Sequence, residues 1–300
     1  MRLRSLLAAT ASSAIVLAAL ALPARTGAQT APTQAPAPSQ ATPAASPVPA
    51  LPGSEAMAGH RAAYRLAFDR ARDNSDVARA EGVMLFEVLD ACDGWVSRQR
   101  LTLNLRDRDG QVVDTASDYN TFESKDGRRL RFSMTQFTGG AATNRVTGEA
   151  VLEADGSGVV NYESPAGRQE RLPAGTILPM AHTIRAIAAA RAGQRLLNVP
   201  LMDGTSEDGA QDSTTIISPW RAEAEAQPRF PLLANQQSGR MRIAFFGRDA
   251  SGQGGGASSP EYEVGLRYYA NGVADELNMD FGEFSVNGSL ETLEAVPGGC

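Results

Sequence analysis

Side chains able to do chemistry are scarce in this sequence. Its 300 residues include two histidines, two cysteines and a single lysine, Lys125. Two distant cysteines, Cys92 and Cys300, with His60 and His182, supply too few soft ligands for a zinc centre, and the cysteines lack the close C-x-x-C spacing of a redox couple. No Gly-x-Ser-x-Gly elbow presents a nucleophile to either histidine, so the usual setting of a Ser-His-Asp triad is missing. There is no phosphate loop or dinucleotide fingerprint, because the glycines from Gly252 to Gly256 have neither a lysine nor a strand-to-helix setting. Asp203, Glu207 and Asp208 fit no calcium loop. Turn acids such as Asp90, Asp93, Asp107 and Asp109 read as solvated or bonded to their own backbone. Both histidines read as buried and hydrogen-bonded or as surface groups. No catalytic residue, metal or cofactor is expected. The near-exclusive use of arginine over lysine is read as a bias of a GC-rich genome rather than a functional preference.

What is present begins with an export signal. Arg2 and Arg4 precede an uncharged apolar run from Ser5 to Pro23, followed by small residues at Thr26, Gly27 and Ala28. This is the layout of a cleaved signal peptide over residues 1–28, with an uncleaved anchor as the rival. N-terminal lipidation would need a cysteine at the processing site, and the first cysteine is Cys92. Residues 29–53 hold seven prolines and no charged side chain. Such a stretch buries too little apolar surface to offset its ordering entropy, so it reads as a disordered Ala/Pro-rich tether, with a Pro-rich recognition segment as the alternative. The remaining residues, 54–300, form a single domain large enough for a sizeable core. Without residues 1–28 the chain carries 25 basic against 34 acidic side chains. That balance argues against nucleic acid and against anionic membrane surfaces as partners, and after residue 28 no transmembrane segment is expected. An exported chain with an even cysteine count is expected to hold one disulfide, between Cys92 and Cys300, tying down the C-terminus.

The folded part shows period-two alternation cut by turn dipeptides. His60 to Asp69 places Ala62, Tyr64, Leu66 and Phe68 on one face, and Ala80 to Leu89 repeats the pattern. Eleven further runs, ending with Glu283 to Leu293, are separated by Asp109-Gly110, Asp126-Gly127, Asp155-Gly156, Asp203-Gly204 and Asn271-Gly272, which supply the positive φ that tight hairpins need. About thirteen antiparallel strands result. Ile177 to Ala192 instead has helical spacing, with Thr176 as N-cap, Pro179 in the first turn and Gly193 past the end. This amphipathic helix is expected to plug a barrel or cover its open side, with Met180, Ile184 and Ile187 as lid residues. So many strands avoid a long exposed edge best as a closed or overlapping barrel. A β-helix would need a short repeat, which is absent; a two-domain split at the helix is the main rival. Trp95, Tyr119, Phe122, Phe132, Phe137 and Phe246 are candidates to line a cavity, against the simpler reading that they fill the core.

Several of these stretches carry a resemblance. His60-Arg61-Ala62-Ala63-Tyr64, Asp90-Ala91-Cys92-Asp93-Gly94-Trp95, Tyr119 to Ser124 with Asp126-Gly127, Leu172-Pro173-Ala174-Gly175-Thr176 leading through Pro179 and His182, and the terminal Cys300 make residues 54–300 similar to the periplasmic cell-envelope integrity family typified by EipB. The Gly-rich Ser251–Ser259 loop departs from it. The resemblance implies a large antiparallel, spiral and open β-barrel, a disulfide joining the two matching cysteines, and a role in the Gram-negative envelope. The function expected is that of a non-enzymatic periplasmic factor for envelope integrity and stress resistance, acting through unknown envelope proteins. A carrier or chaperone for a lipid or lipidated peptide is the alternative, with an apolar ligand as partner. An envelope hydrolase has only the exported location in its favour.

Overall fold

The computed structural model describes residues 49–221, 226, 228–248 and 259–299. The expected signal peptide, most of the expected tether, nearly all of the Gly-rich loop and Cys300 lie outside them. Leu51, within the stretch read as tether, is already held, its N–H donating to Lys125 O at 2.9 Å.

Among the described residues, fourteen strands form a single antiparallel sheet. The first eight are β1 (His60–Ala71), β2 (Val77–Asp90), β3 (Gly94–Asp107), β4 (Val112–Ser124), β5 (Arg129–Thr138), β6 (Ala141–Leu152), β7 (Gly158–Ser164) and β8 (Gln169–Leu172). After the helix α1 (Pro179–Arg191) come β9 (Leu196–Leu201), β10 (Gln211–Ile217), β11 (Ser238–Phe246), β12 (Tyr262–Tyr269), β13 (Ala274–Asp280) and β14 (Phe284–Ala295). The sheet order runs β8 through β1 and then β14 through β9. It is thus two meanders joined where β1 pairs with β14, from His60 opposite Ala295 to Ala71 opposite Phe284. Each meander follows from short connections, which favour antiparallel neighbours. Turn glycines set the reversals: Gly127 has φ 67° and Gly272 φ 83°, a region where a Cβ is strained.

The edges, β8 and β9, do not pair with each other. Instead the sheet rolls until its ends overlap. Met202 and Ala210, from the loop between β9 and β10, pack among Leu130, Val160, Tyr162 and Leu172 of β5, β7 and β8. Tyr162 Oη accepts the Gly209 N–H at 2.9 Å, and Arg168 reaches Asp208 at 3.2 Å. The result is an open, barrel-like β fold, as expected. The fourteenth strand, missing from the sequence reading, is β8.

The helix α1 lies in the concavity. Ala186, Ala189 and Ala190 share a core cluster with Tyr64, Leu66, Met241, Leu277 and Val286, where alanines let the helix come close to the sheet. Arg185, Ala188 and Arg191 form a narrow exposed stripe, and the rest of its circumference is covered, as a helix packed on several sides requires.

The start of the helix corrects the sequence reading. Thr176 is not its N-cap: the Thr176 hydroxyl donates to Pro173 O at 2.6 Å, and Leu178 occupies the cap position with φ −102° and ψ 166° and no side-chain cap. A residue preceding proline is driven into extended backbone, so Leu178 cannot be helical and the first turn begins at Pro179.

Candidate functional site

Between the rolled sheet and α1 lies a partly open cavity of ≈ 290 Å³. Strand alternation builds it, since inward positions of β1, β2, β4, β12 and β13 send one side chain in two toward the concavity. Among the described residues, five methionines line it: Met57, Met84, Met134, Met180 and Met279. So do four tyrosines, Tyr64, Tyr119, Tyr262 and Tyr268. Tyr64 donates to Ala274 O at 2.7 Å, Tyr119 to Asp203 O, and Tyr268 shares a 3.3 Å hydrogen bond with Thr183 of α1. Burial raises the pKa of all four tyrosines, helped by the charge of Asp275 at Tyr64 and of Asp203 at Tyr119 and Tyr262.

His60 also faces this cavity. Its Nδ1 bonds Ala58 O at 2.8 Å and its ring lies against Phe86, 5.7 Å between centroids. Burial lowers its pKa, only partly offset by the Ala58 bond, so it is neutral at pH 7. His182, on the helix, is buried with Nε2 3.0 Å from Thr215 Oγ1, and burial pushes its pKa down to about 4. Both histidines are therefore hydrogen-bonded parts of the interior.

Of the aromatics expected at a cavity, Tyr119 lines it. Phe122 and Phe246 stand on the other face of their strands, the Phe122 ring over Gly94, and Phe245 takes the inward place next to Phe246. Phe137 borders an outer groove with Arg100 and Gly140. Phe132 points inward but fills a separate cluster, 5.8 Å from the Tyr162 ring. Trp95 is buried beneath Lys125, whose Nζ sits 3.5 Å from its ring centroid. On the helix Met180 and Thr183 reach the cavity, whereas Ile184 and Ile187 are buried outside its lining.

The sequence reading missed Glu123. This inward residue of β4 is buried, and its carboxylate accepts the N–H of Met180 at 2.7 Å and of Ala181 at 2.9 Å. It caps α1 from across the barrel, satisfying two of the helix's orphan donors. Burial raises its pKa to about 8 against the pull of those two bonds, and Asp126 adds to the rise. An acid in phase with Tyr119 and Thr121 was the available signal.

Lys125 follows two residues after Glu123. Besides Trp95 it meets Asp90 Oδ2 at 2.8 Å, while Asp90 Oδ1 accepts the Cys92 N–H at 3.0 Å and Asp90 O accepts the Gly299 N–H at 2.9 Å. Cys92 itself has φ 69°. No cysteine among the described residues is free. Among the described residues no cluster of three or more His, Cys, Asp or Glu is arranged to hold a metal, and no helix is long and apolar enough to cross a membrane.

The family model described as EipB-like matches residues 53–297. The cell envelope integrity protein EipB of Brucella abortus (strain 2308) is 30% identical over 243 residues, covering 79% of this chain and 84% of that protein. A crystal structure of a β-barrel-like protein of a domain family of unknown function, also from Brucella abortus, aligns with TM-score 0.71 at 28% identity, over 80% of this chain and 99% of the other.

Proposed function

This chain belongs to the EipB-like family, and from that premise we propose that it is a non-enzymatic periplasmic factor that maintains the cell envelope under stress. The similarity to a cell envelope integrity protein across most of both chains carries this reading. Export by a cleaved signal peptide over residues 1–28, a tether over 29–53 and a single barrel domain beyond it are part of the proposal. So is a disulfide between Cys92 and Cys300. Its support is the bond from Gly299 N–H to Asp90 O, which sets the residue before Cys300 two positions from Cys92 in the adjoining turn. Loss of the gene is expected to sensitise cells to detergents and cell-wall antibiotics. Unchanged growth under several such stresses would count against the role.

A second reading, a carrier for an apolar ligand, is favoured by the ≈ 290 Å³ cavity and its methionine and tyrosine wall. Methionine side chains adapt to irregular apolar shapes, and pockets of this kind are typical of small-ligand sites. Native mass spectrometry of protein purified from its own periplasm is expected to show a lipid or lipopeptide adduct. Repeated empty spectra would reduce the protein to a scaffold acting through envelope proteins.

A further inference from the structure

Among the described residues, no Arg, Lys, Asp or Glu lines the wall of the cavity. Its histidine, His60, is neutral, with Nδ1 engaged by Ala58 O. The hydroxyls of Tyr64, Tyr119 and Tyr268 are committed to Ala274, Asp203 and Thr183. An ion drawn against this wall sheds its water and meets no counter-charge, which proteins do not tolerate without compensation. A hydrocarbon chain meets thioethers and ring faces that conform to it.

We propose, on the basis of the carrier reading, that the cavity takes an uncharged hydrocarbon chain, the tail of an amphiphile whose charged head stays outside the wall. Gln99 lies inward on β3, opposite Phe86 on one side and Tyr119 on the other, so a charge introduced there would face the ligand.

Calorimetric titration of the mature protein with 1-decanol, decanoate and hexadecanoate at pH 7.5 tests the proposal. Decanol is expected to bind about tenfold or more tightly than decanoate, the scale of one charge-assisted contact. Hexadecanoate is expected to bind despite its charge, because its longer chain carries the carboxylate clear of the wall. In Gln99→Arg the preference should reverse, decanoate gaining about tenfold or more from the new guanidinium, while Gln99→Leu should retain the preference for decanol. Should Gln99→Arg fail to fold, Thr183→Lys introduces a cation on the helix side of the same wall. Equal binding of decanol and decanoate to the unaltered protein, or no gain by decanoate in a folded cationic variant, overturns charge exclusion and leaves the carrier reading intact. Binding of none of the three chains removes the carrier reading itself.

Discussion

The carboxylate of Glu123 accepts the backbone N–H of Met180 at 2.7 Å, so a strand of the first meander supplies the cap of the helix that leads into the second. This contact holds α1 across the concavity and fixes where Met180 meets the cavity wall.

Replacing Glu123 by alanine leaves two helix N–H groups without their acceptor, one of them buried, and is expected to cost about 2 kcal/mol. Urea unfolding read by circular dichroism measures it. Glu123→Gln, which keeps an acceptor, should lose less. The folded pKa, about 8, lies above the ordinary 4.5, so between those values the folded state retains a proton that the unfolded state releases. Stability from this group is therefore full below pH 4.5 and falls as pH rises through 8. The midpoint of Glu123→Gln should lack that component of the decline.

His182 acts in the opposite direction. Its folded pKa of about 4 lies below the ordinary 6.5, so its contribution is full above pH 6.5 and is lost as pH falls through 4. Comparing His182→Asn with the parent at pH 7 and pH 4.5 should show a smaller acid loss in the variant. An identical acid loss in both would place the sensitivity elsewhere.

Lys125→Met removes the cation from the Trp95 ring and leaves Asp90 without its ammonium partner. A loss of about 1–3 kcal/mol is expected. In a Trp220→Phe background the emission of Trp95 should shift with the substitution, and an unaltered spectrum would show that the ring does not sense Lys125 in solution.

With the proposed disulfide in place, Cys300→Ser is expected to destabilise the protein by about 2–5 kcal/mol. Reductant should lower the melting temperature of the parent by a similar amount and leave that of the variant unchanged. Equal sensitivity of both proteins to reductant would remove the bridge from the account.

Strands were legible where alternation ran long enough. The thirteen expected runs coincide with observed strands, but Gln169-Glu170-Arg171-Leu172 has a single apolar residue and so no readable period. Pairing partners supply its structure instead, from Asn161 opposite Gln169 to Gly158 opposite Leu172. Within legible strands the inward face was harder to assign for aromatics, because Phe245 and Phe246 are adjacent and only the phase of Met241 and Ile243 selects Phe245.

Local sequence thus determined the alternating strands, their glycine turns and one helix, because each depends on neighbours a few residues apart. Only tertiary structure decided that β1 meets β14, that Glu123 caps α1, that the lone lysine covers Trp95, and that Met84, Met134 and Met279 from separate strands meet at one cavity wall. Those outcomes depend on which surfaces become neighbours when the sheet rolls, a relationship between residues far apart along the chain that carries no local period.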